Sequence, residues 1–163
     1  MEVLIIIIVL ALFGSAFISA SEASIIAVNR VRIRNLSNQG NKKAEAIEKT
    51  LEENEKFFGT LLLFGNLLNV LIATLVGTLI INLFGRGGFT SVIIATAIST
   101  IIVVTFGELT PKSISIRIAE KWSLSVINII RGLMLISGPA VWAFAMVPKV
   151  ITKTFLKSTI ESY

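Results

Sequence analysis

A carboxylate stands at the end of an apolar run that carries no charge. Glu108 lies within residues 106–112, FGELTPK, after the uncharged run 90–106. A bare charge in hydrocarbon is unfavourable, so Glu108 needs a partner. If this stretch is α-helical, Pro111 cannot donate a hydrogen bond to Gly107, whose carbonyl is left free beside the carboxylate. A charged and a neutral oxygen at a broken helix are typical of a cation site inside a membrane.

Two other apolar stretches carry polar groups that could join this carboxylate. Ser15, Ser19 and Glu22 recur at i, i+4 and i+7, which places them on one face of a helix. A later stretch carries Asn66 and Asn69. These groups offer oxygen, which suits Mg²⁺, Ca²⁺, Mn²⁺ or Na⁺ better than zinc or copper. The alternative is structural, since serines and asparagines also join membrane helices to one another.

The composition indicates an integral membrane protein. The 163 residues are 54% hydrophobic and only 15% charged, where a soluble domain has about 25%. Histidine and cysteine are absent, which excludes thiol chemistry and histidine acid–base catalysis. We therefore expect that the protein is not an enzyme. The net charge of +5 comes from basic residues that mostly flank apolar runs, a signal of membrane topology rather than of nucleic-acid binding.

The hydropathy pattern predicts three transmembrane helices at about 3–27, 57–84 and 90–110. The polar segment 28–57 is rich in both signs of charge and predicts a helical hairpin. Arginines follow the first span closely, which places the hairpin in the cytoplasm and the N-terminus outside. A tight external turn is predicted at residues 85–88.

The last apolar stretch is predicted to form juxtamembrane helices at about 122–136 and 140–157. Gly138-Pro139 favours a turn between them. A full crossing would place the lysines that follow residue 148 outside, against the positive-inside rule, so the C-terminus is expected in the cytoplasm. A fourth span is the alternative. The predicted fold class is an all-α membrane protein with three transmembrane helices, a cytoplasmic helical hairpin and juxtamembrane helices.

Three motifs, in this order, resemble the CNNM/CorC family of magnesium transporters. They are residues 19–23 (SASEA), residues 62–68 (LLFGNLL) and residues 106–112 (FGELTPK). The resemblance covers nearly the whole chain and corresponds to the family's transmembrane domain, called DUF21. Residues 1–163 are therefore expected to form a single domain. The regulatory CBS domains usual in the family are absent from this chain, which we expect to be a piece of a longer protein.

The resemblance implies a magnesium site between the three helices. The ligand set that it implies is Ser19, Ser21, Asn66, Asn69, Gly107 and Glu108. Asn69 departs from the family pattern, in which the second asparagine usually follows the first by four residues rather than three. Glu22 and Ser24 would line the ion pathway, and Pro111 would break the helix.

The resemblance also implies a transport mechanism and a set of partners. It implies sodium-coupled Mg²⁺ efflux across the plasma membrane by alternating access, with a largely dehydrated ion that Na⁺ could replace. The implied partners are a second copy in a homodimer, the lipid bilayer and the missing CBS domains. Two other functions stay open: a magnesium-sensing or channel-like domain without coupled transport, and a scaffold whose polar residues only join helices.

Overall fold

The computed structural model describes the backbone of residues 1–84 and 88–160, and the side chains of residues 1–83, 88–144 and 146. Over these residues the secondary structure is entirely helical, which confirms the all-α fold class. The turn predicted at 85–88 lies almost wholly outside the described residues. The helices are α1 (Glu2–Ala27), α2 (Arg30–Asn38), α3 (Lys42–Glu52), α4 (Asn54–Phe84), α5 (Phe89–Ile102), a π-helix (Val103–Leu109), α6 (Thr110–Arg117) and α7 (Ala119–Ile160).

Four segments of the described chain are long and apolar enough to cross a membrane. They are Glu2–Ala27, Asn54–Leu83, Phe89–Arg117 and Ala119–Phe144. The first three match the predicted spans. The third continues past residue 110, because α5, the π-helix and α6 follow one another without a break. The chain is therefore a multi-pass membrane protein, and the many exposed large apolar side chains of α1, α4 and α5 suit a lipid surrounding.

The first three spans pack with alternating direction. Ser15 of α1 bonds to Asn69 of α4, whereas Ile18, one turn later in α1, faces Gly65, one turn earlier in α4. Those two helices are therefore antiparallel. Ser15 also lies against Gly107, near the end of the third span, which runs parallel to α1. Apolar residues of α1, α4 and the third span form one of the two cores of the described chain.

Helices α2 and α3 form the predicted hairpin. Gly40 between them has φ +87°, a left-handed conformation that glycine adopts without strain. The side chain of Asn41 accepts hydrogen bonds of 3.0 and 3.2 Å from backbone N–H groups at the start of α3, which caps that helix. Lys49 donates to Glu45 at 2.7 Å, and this bond holds the pKa of the Glu45 carboxyl below its ordinary value.

The prediction of two separate helices at 122–136 and 140–157 is wrong, because the backbone shows no break between them. Helix α7 runs without interruption from Ala119 to Ile160, through Pro139. The proline removes one backbone hydrogen bond, but contacts on both sides of it hold α7 against the start of α4. Ser137 shares a buried 2.7 Å hydrogen bond with Thr60. Packing on α4 before and after Pro139 thus outweighs the local tendency of the proline to end the helix.

The contacts of α7 show how it lies against the bundle. Trp122 packs on Phe17 of α1, with ring centroids 6.5 Å apart, and Val141 lies against Gly59 of α4. Along α7 these two points are about 29 Å apart at 1.5 Å per residue. Ile18 of α1 faces Gly65 of α4, so these two residues lie at the same depth in the bundle. Counted from that level along each helix, Phe17 and Gly59 differ in depth by only about 10 Å. This part of α7 therefore crosses the bundle obliquely, which favours the juxtamembrane interpretation over a fourth span.

The contact between α4 and α7 is closest at Gly59. A Cβ atom at this position would lie 2.5 Å from Cγ1 of Val141. We expect Gly59→Ala to lower the free energy of unfolding by about 1–3 kcal/mol, because the branched valine must move. Adding Val141→Ala should recover most of the loss. Thermal unfolding in detergent checks this, with Gly77→Ala as the control in α4, where a Cβ meets nothing within 4 Å. Equal stability of the Gly59→Ala variant and the parent would contradict the close packing.

Candidate functional site

A chain of hydrogen bonds joins the three predicted spans at one depth. Ser15 Oγ of α1 donates to Asn69 Oδ1 of α4 at 2.8 Å. Asn69 Nδ2 in turn donates to Glu108 Oε1 of the third span, also at 2.8 Å. The Glu108 carboxylate therefore has the partner that its position in an apolar run demands. Asn69, which the resemblance placed among the ligands, orients the carboxylate by this bond from the neighbouring helix.

Glu108 opens onto a cavity of about 320 Å³ between α1, α4 and the third span. Its polar lining consists of Ser19, Glu22, Asn66, Asn69, Glu108 and Lys112. It extends from the hydrogen-bond chain towards Phe58, near the start of α4 and the α2–α3 hairpin. Since a water molecule occupies roughly 30 Å³, the cavity has room for an ion with much of its water shell. A polar cavity inside an apolar bundle is the kind of space that an ion would enter.

The predicted residues divide between this cavity and other places. Ser19, Glu22, Asn66, Asn69 and Glu108 line it. The other two predicted serines of α1 are buried, and their hydroxyls bond within that helix. Ser21 donates to the Phe17 carbonyl at 2.7 Å, and Ser24 donates to the Ser21 carbonyl at 3.1 Å.

Ser15 belongs to this chain of hydrogen bonds, although the predicted ligand set left it out. It is buried and makes the first bond of the chain to Glu108. Its spacing from Ser19 and Glu22, one and two turns along the same helical face, was the signal that could have included it. Its hydroxyl also lies close to the main chain of the third span, since a Cβ on Gly107 would be 3.1 Å from Ser15 Oγ. A larger residue at position 107 would therefore disturb the hydrogen bonds that run from Ser15 through Asn69 to Glu108.

Glu108 and Gly107 belong to a π-helix rather than to an α-helix. The π-helix covers Val103–Leu109, and the N–H of Thr110 bonds to the Thr105 carbonyl at its end. Such segments are rare and occur often at functional sites. Pro111 follows directly. Because it has no N–H, it can satisfy neither the carbonyl four residues earlier, at Gly107, nor the one five residues earlier, at Phe106.

Replacing Pro111 with alanine is expected to weaken cation binding by about tenfold. The new N–H would bond to a carbonyl of the π-helix and draw the backbone around Glu108 towards α-helical geometry. Titration calorimetry with Mg²⁺ measures the effect. Pro139→Ala, in α7 away from the cavity lining, is the control and should leave the affinity unchanged. A Pro111→Ala protein with the affinity of the parent would show that the missing donor is irrelevant to the site.

An ion pair lies at the end of the cavity away from Asn69. Lys112 Nζ is 2.8 Å from Glu22 Oε2, with side chains 39% and 30% exposed. Two carboxylates and one ammonium thus border the cavity, which leaves the formal charge of Glu108 without a counterion.

The donor chemistry of the cavity separates classes of metal. Across the described residues, no group of three or more histidine, cysteine, aspartate or glutamate side chains comes together to hold a metal ion. The cavity instead offers carboxylate, amide and hydroxyl oxygens. Such a set suits hard cations such as Mg²⁺ or Na⁺ and disfavours softer transition metals.

Comparison with known proteins agrees with the motifs. The family of the cyclin M transmembrane N-terminal domain (CNNM) matches residues 5–162. A UPF0053 protein of Haemophilus influenzae is 34% identical over 145 residues, which are 87% of this chain and 33% of that protein. The UPF0053 inner membrane protein YfjD of Escherichia coli K12 is 32% identical over 140 residues, 85% of this chain and 32% of that protein. The chain spans about a third of the length of these curated relatives. With its helices and motifs in the order described above, the chain belongs to the CNNM transmembrane-domain family.

Proposed function

We propose that this domain binds Mg²⁺ at Glu108 and carries it across the membrane. The observation that supports this most is the bond chain from Ser15 through Asn69 to Glu108, which holds one carboxylate at the inner end of a polar cavity. A scaffold that only joined helices would need the hydrogen bonds but not the cavity. Membership of the CNNM family agrees with a role in the membrane passage of metal ions.

The proposed ion path starts at the hairpin side of the cavity. A hydrated Mg²⁺ enters beside Glu22 and moves inwards to Glu108. Mg²⁺ needs roughly six oxygen ligands and gives up its water reluctantly. Glu108, Asn66 and Ser19 would replace part of the water shell, and remaining waters or the Gly107 carbonyl would complete it. Na⁺, another hard cation, could occupy the same oxygens.

The transport cycle is part of the same proposal. Access to Glu108 would alternate between the hairpin side and the opposite side, so that Mg²⁺ leaves the cell while Na⁺ enters. The proposed setting is a homodimer in the plasma membrane, with the N-terminus outside and the hairpin and C-terminus in the cytoplasm. Regulation would come from CBS domains in the rest of a longer protein.

Binding and flux measured on the same purified protein test this function. Titration calorimetry of the 163-residue protein in lipid nanodiscs should show Mg²⁺ binding that Zn²⁺ does not reproduce. Proteoliposomes with an internal Mg²⁺ dye should show flux that depends on a sodium gradient. Flux without the gradient would indicate a channel, and binding without flux would indicate a sensor. A protein that binds no Mg²⁺ would contradict the proposal as a whole.

A further inference from the structure

Lys112 lies within reach of both carboxylates of the cavity. Its ammonium is paired with Glu22 at 2.8 Å. It also follows Glu108 by four residues along the third span, and both side chains line the same cavity. Side chains four residues apart on one helix are neighbours, and oppositely charged ones attract. Lys112 therefore has two available partners, and the structure shows it on Glu22.

We infer that Glu22 is a positioning residue that sets the cation affinity of Glu108 by holding the Lys112 ammonium away from it. An ammonium on Glu108 would neutralise the carboxylate and compete with any cation there. With Lys112 held by Glu22, the hydrogen-bond donor to Glu108 is the neutral side-chain amide of Asn69. The inference rests on the proposed function, since it assumes that Glu108 binds a cation.

The exposure of the pair makes this exchange feasible. Both side chains are about a third exposed and line the polar cavity, so neither partner is buried firmly enough to be locked in place. A fully buried pair would instead hold Lys112 permanently, because separating buried charges is costly. The pair can therefore respond to a charge change at either carboxylate.

The competing interpretation is that Glu22 acts on the cation directly. As a carboxylate of the cavity lining it could attract Mg²⁺ by its own charge or bind it. Both interpretations predict weaker binding when Glu22 is neutralised. They differ when Lys112 is removed as well, because a positioning residue then has nothing left to position.

A double-mutant cycle measured by titration calorimetry with Mg²⁺ separates the two. Glu22→Gln should weaken binding about tenfold, because Lys112 is released to Glu108. Lys112→Met should bind at least as tightly as the parent. In the Lys112→Met protein, adding Glu22→Gln should change the affinity by less than about threefold. The same loss in both backgrounds would overturn the inference and favour direct action of Glu22.

Two controls guard against a structural explanation. Glu22→Asp keeps the charge and should stay within about threefold of the parent affinity, whereas a general packing defect would not depend on charge. Glu120→Gln breaks a comparable pair outside the cavity, with Arg32 at 2.7 Å, and should leave Mg²⁺ binding unchanged. A loss of affinity in Glu120→Gln equal to that in Glu22→Gln would overturn the inference.

The failure of this inference is distinguishable from that of the proposed function. If the parent binds Mg²⁺, Glu108→Gln does not, and the effects of Glu22→Gln and Lys112→Met simply add, only the positioning role is wrong. If neither the parent nor Lys112→Met binds Mg²⁺, both are wrong.

Discussion

Replacing Glu108 with glutamine is expected to raise the Kd for Mg²⁺ by about 100-fold or more. The change keeps the size of the side chain and removes the negative charge that has no ammonium partner in the cavity. An amide oxygen cannot repay the cost of stripping water from Mg²⁺ as a carboxylate can. Loss of an outer-shell partner typically costs 10–100-fold in metal affinity, so loss of the carboxylate itself should cost at least as much.

Glu108→Gln should lower the affinity for Mg²⁺ without lowering the thermal stability of the protein. Glutamine keeps an oxygen that can accept from the Asn69 amide and carries no charge to desolvate, so the melting temperature measured without Mg²⁺ should not fall. Glu45→Gln is the matched control, because Glu45 lies on α3 and pairs with Lys49. If Glu108→Gln binds Mg²⁺ like the parent, the site is elsewhere, whatever the flux assay shows.

Replacing Asn69 with leucine is expected to affect both stability and binding. It removes the acceptor of Ser15 and the donor to Glu108 in one step. Leaving such groups unsatisfied costs about 1–3 kcal/mol of unfolding free energy. The affinity for Mg²⁺ should fall by 10–100-fold, because the carboxylate loses the group that orients it.

The double effect distinguishes Asn69 from an ordinary helix contact. Asn128→Leu, on an exposed position of α7, should change neither quantity. In a Glu108→Gln background the stability loss from Asn69→Leu should be smaller, because the group left unpaired is then neutral. Full Mg²⁺ affinity in Asn69→Leu would show that the bond to Glu108 has no part in binding.

The spans and the hairpin could be predicted because their signals are local. Uncharged apolar runs long enough to cross a bilayer mark α1, α4 and the third span. Asn41 and Gly40 mark the hairpin turn through capping and a left-handed backbone. Each of these features depends on residues close together in the chain.

The features that could not be predicted depend on contacts between distant residues. Helix α7 continues through Pro139 because of its packing on α4, where Ser137 meets Thr60 77 positions away along the chain. In the same way, Ser15 reaches Asn69 across 54 positions. The choice between π and α geometry at Glu108 is also not visible in residue types, because both use the same side chains with different backbone bonds.

The bond from Asn69 to Glu108 has a consequence for how the protein is made. The third span is synthesised after α1 and α4, and it brings into the bilayer a carboxylate that is costly to insert without a partner. Its donor already lies on α4, where Ser15 of α1 fixes the amide. The first two spans thus form a receiving surface for the third, and the carboxylate reaches its stable surroundings only when this pair is assembled.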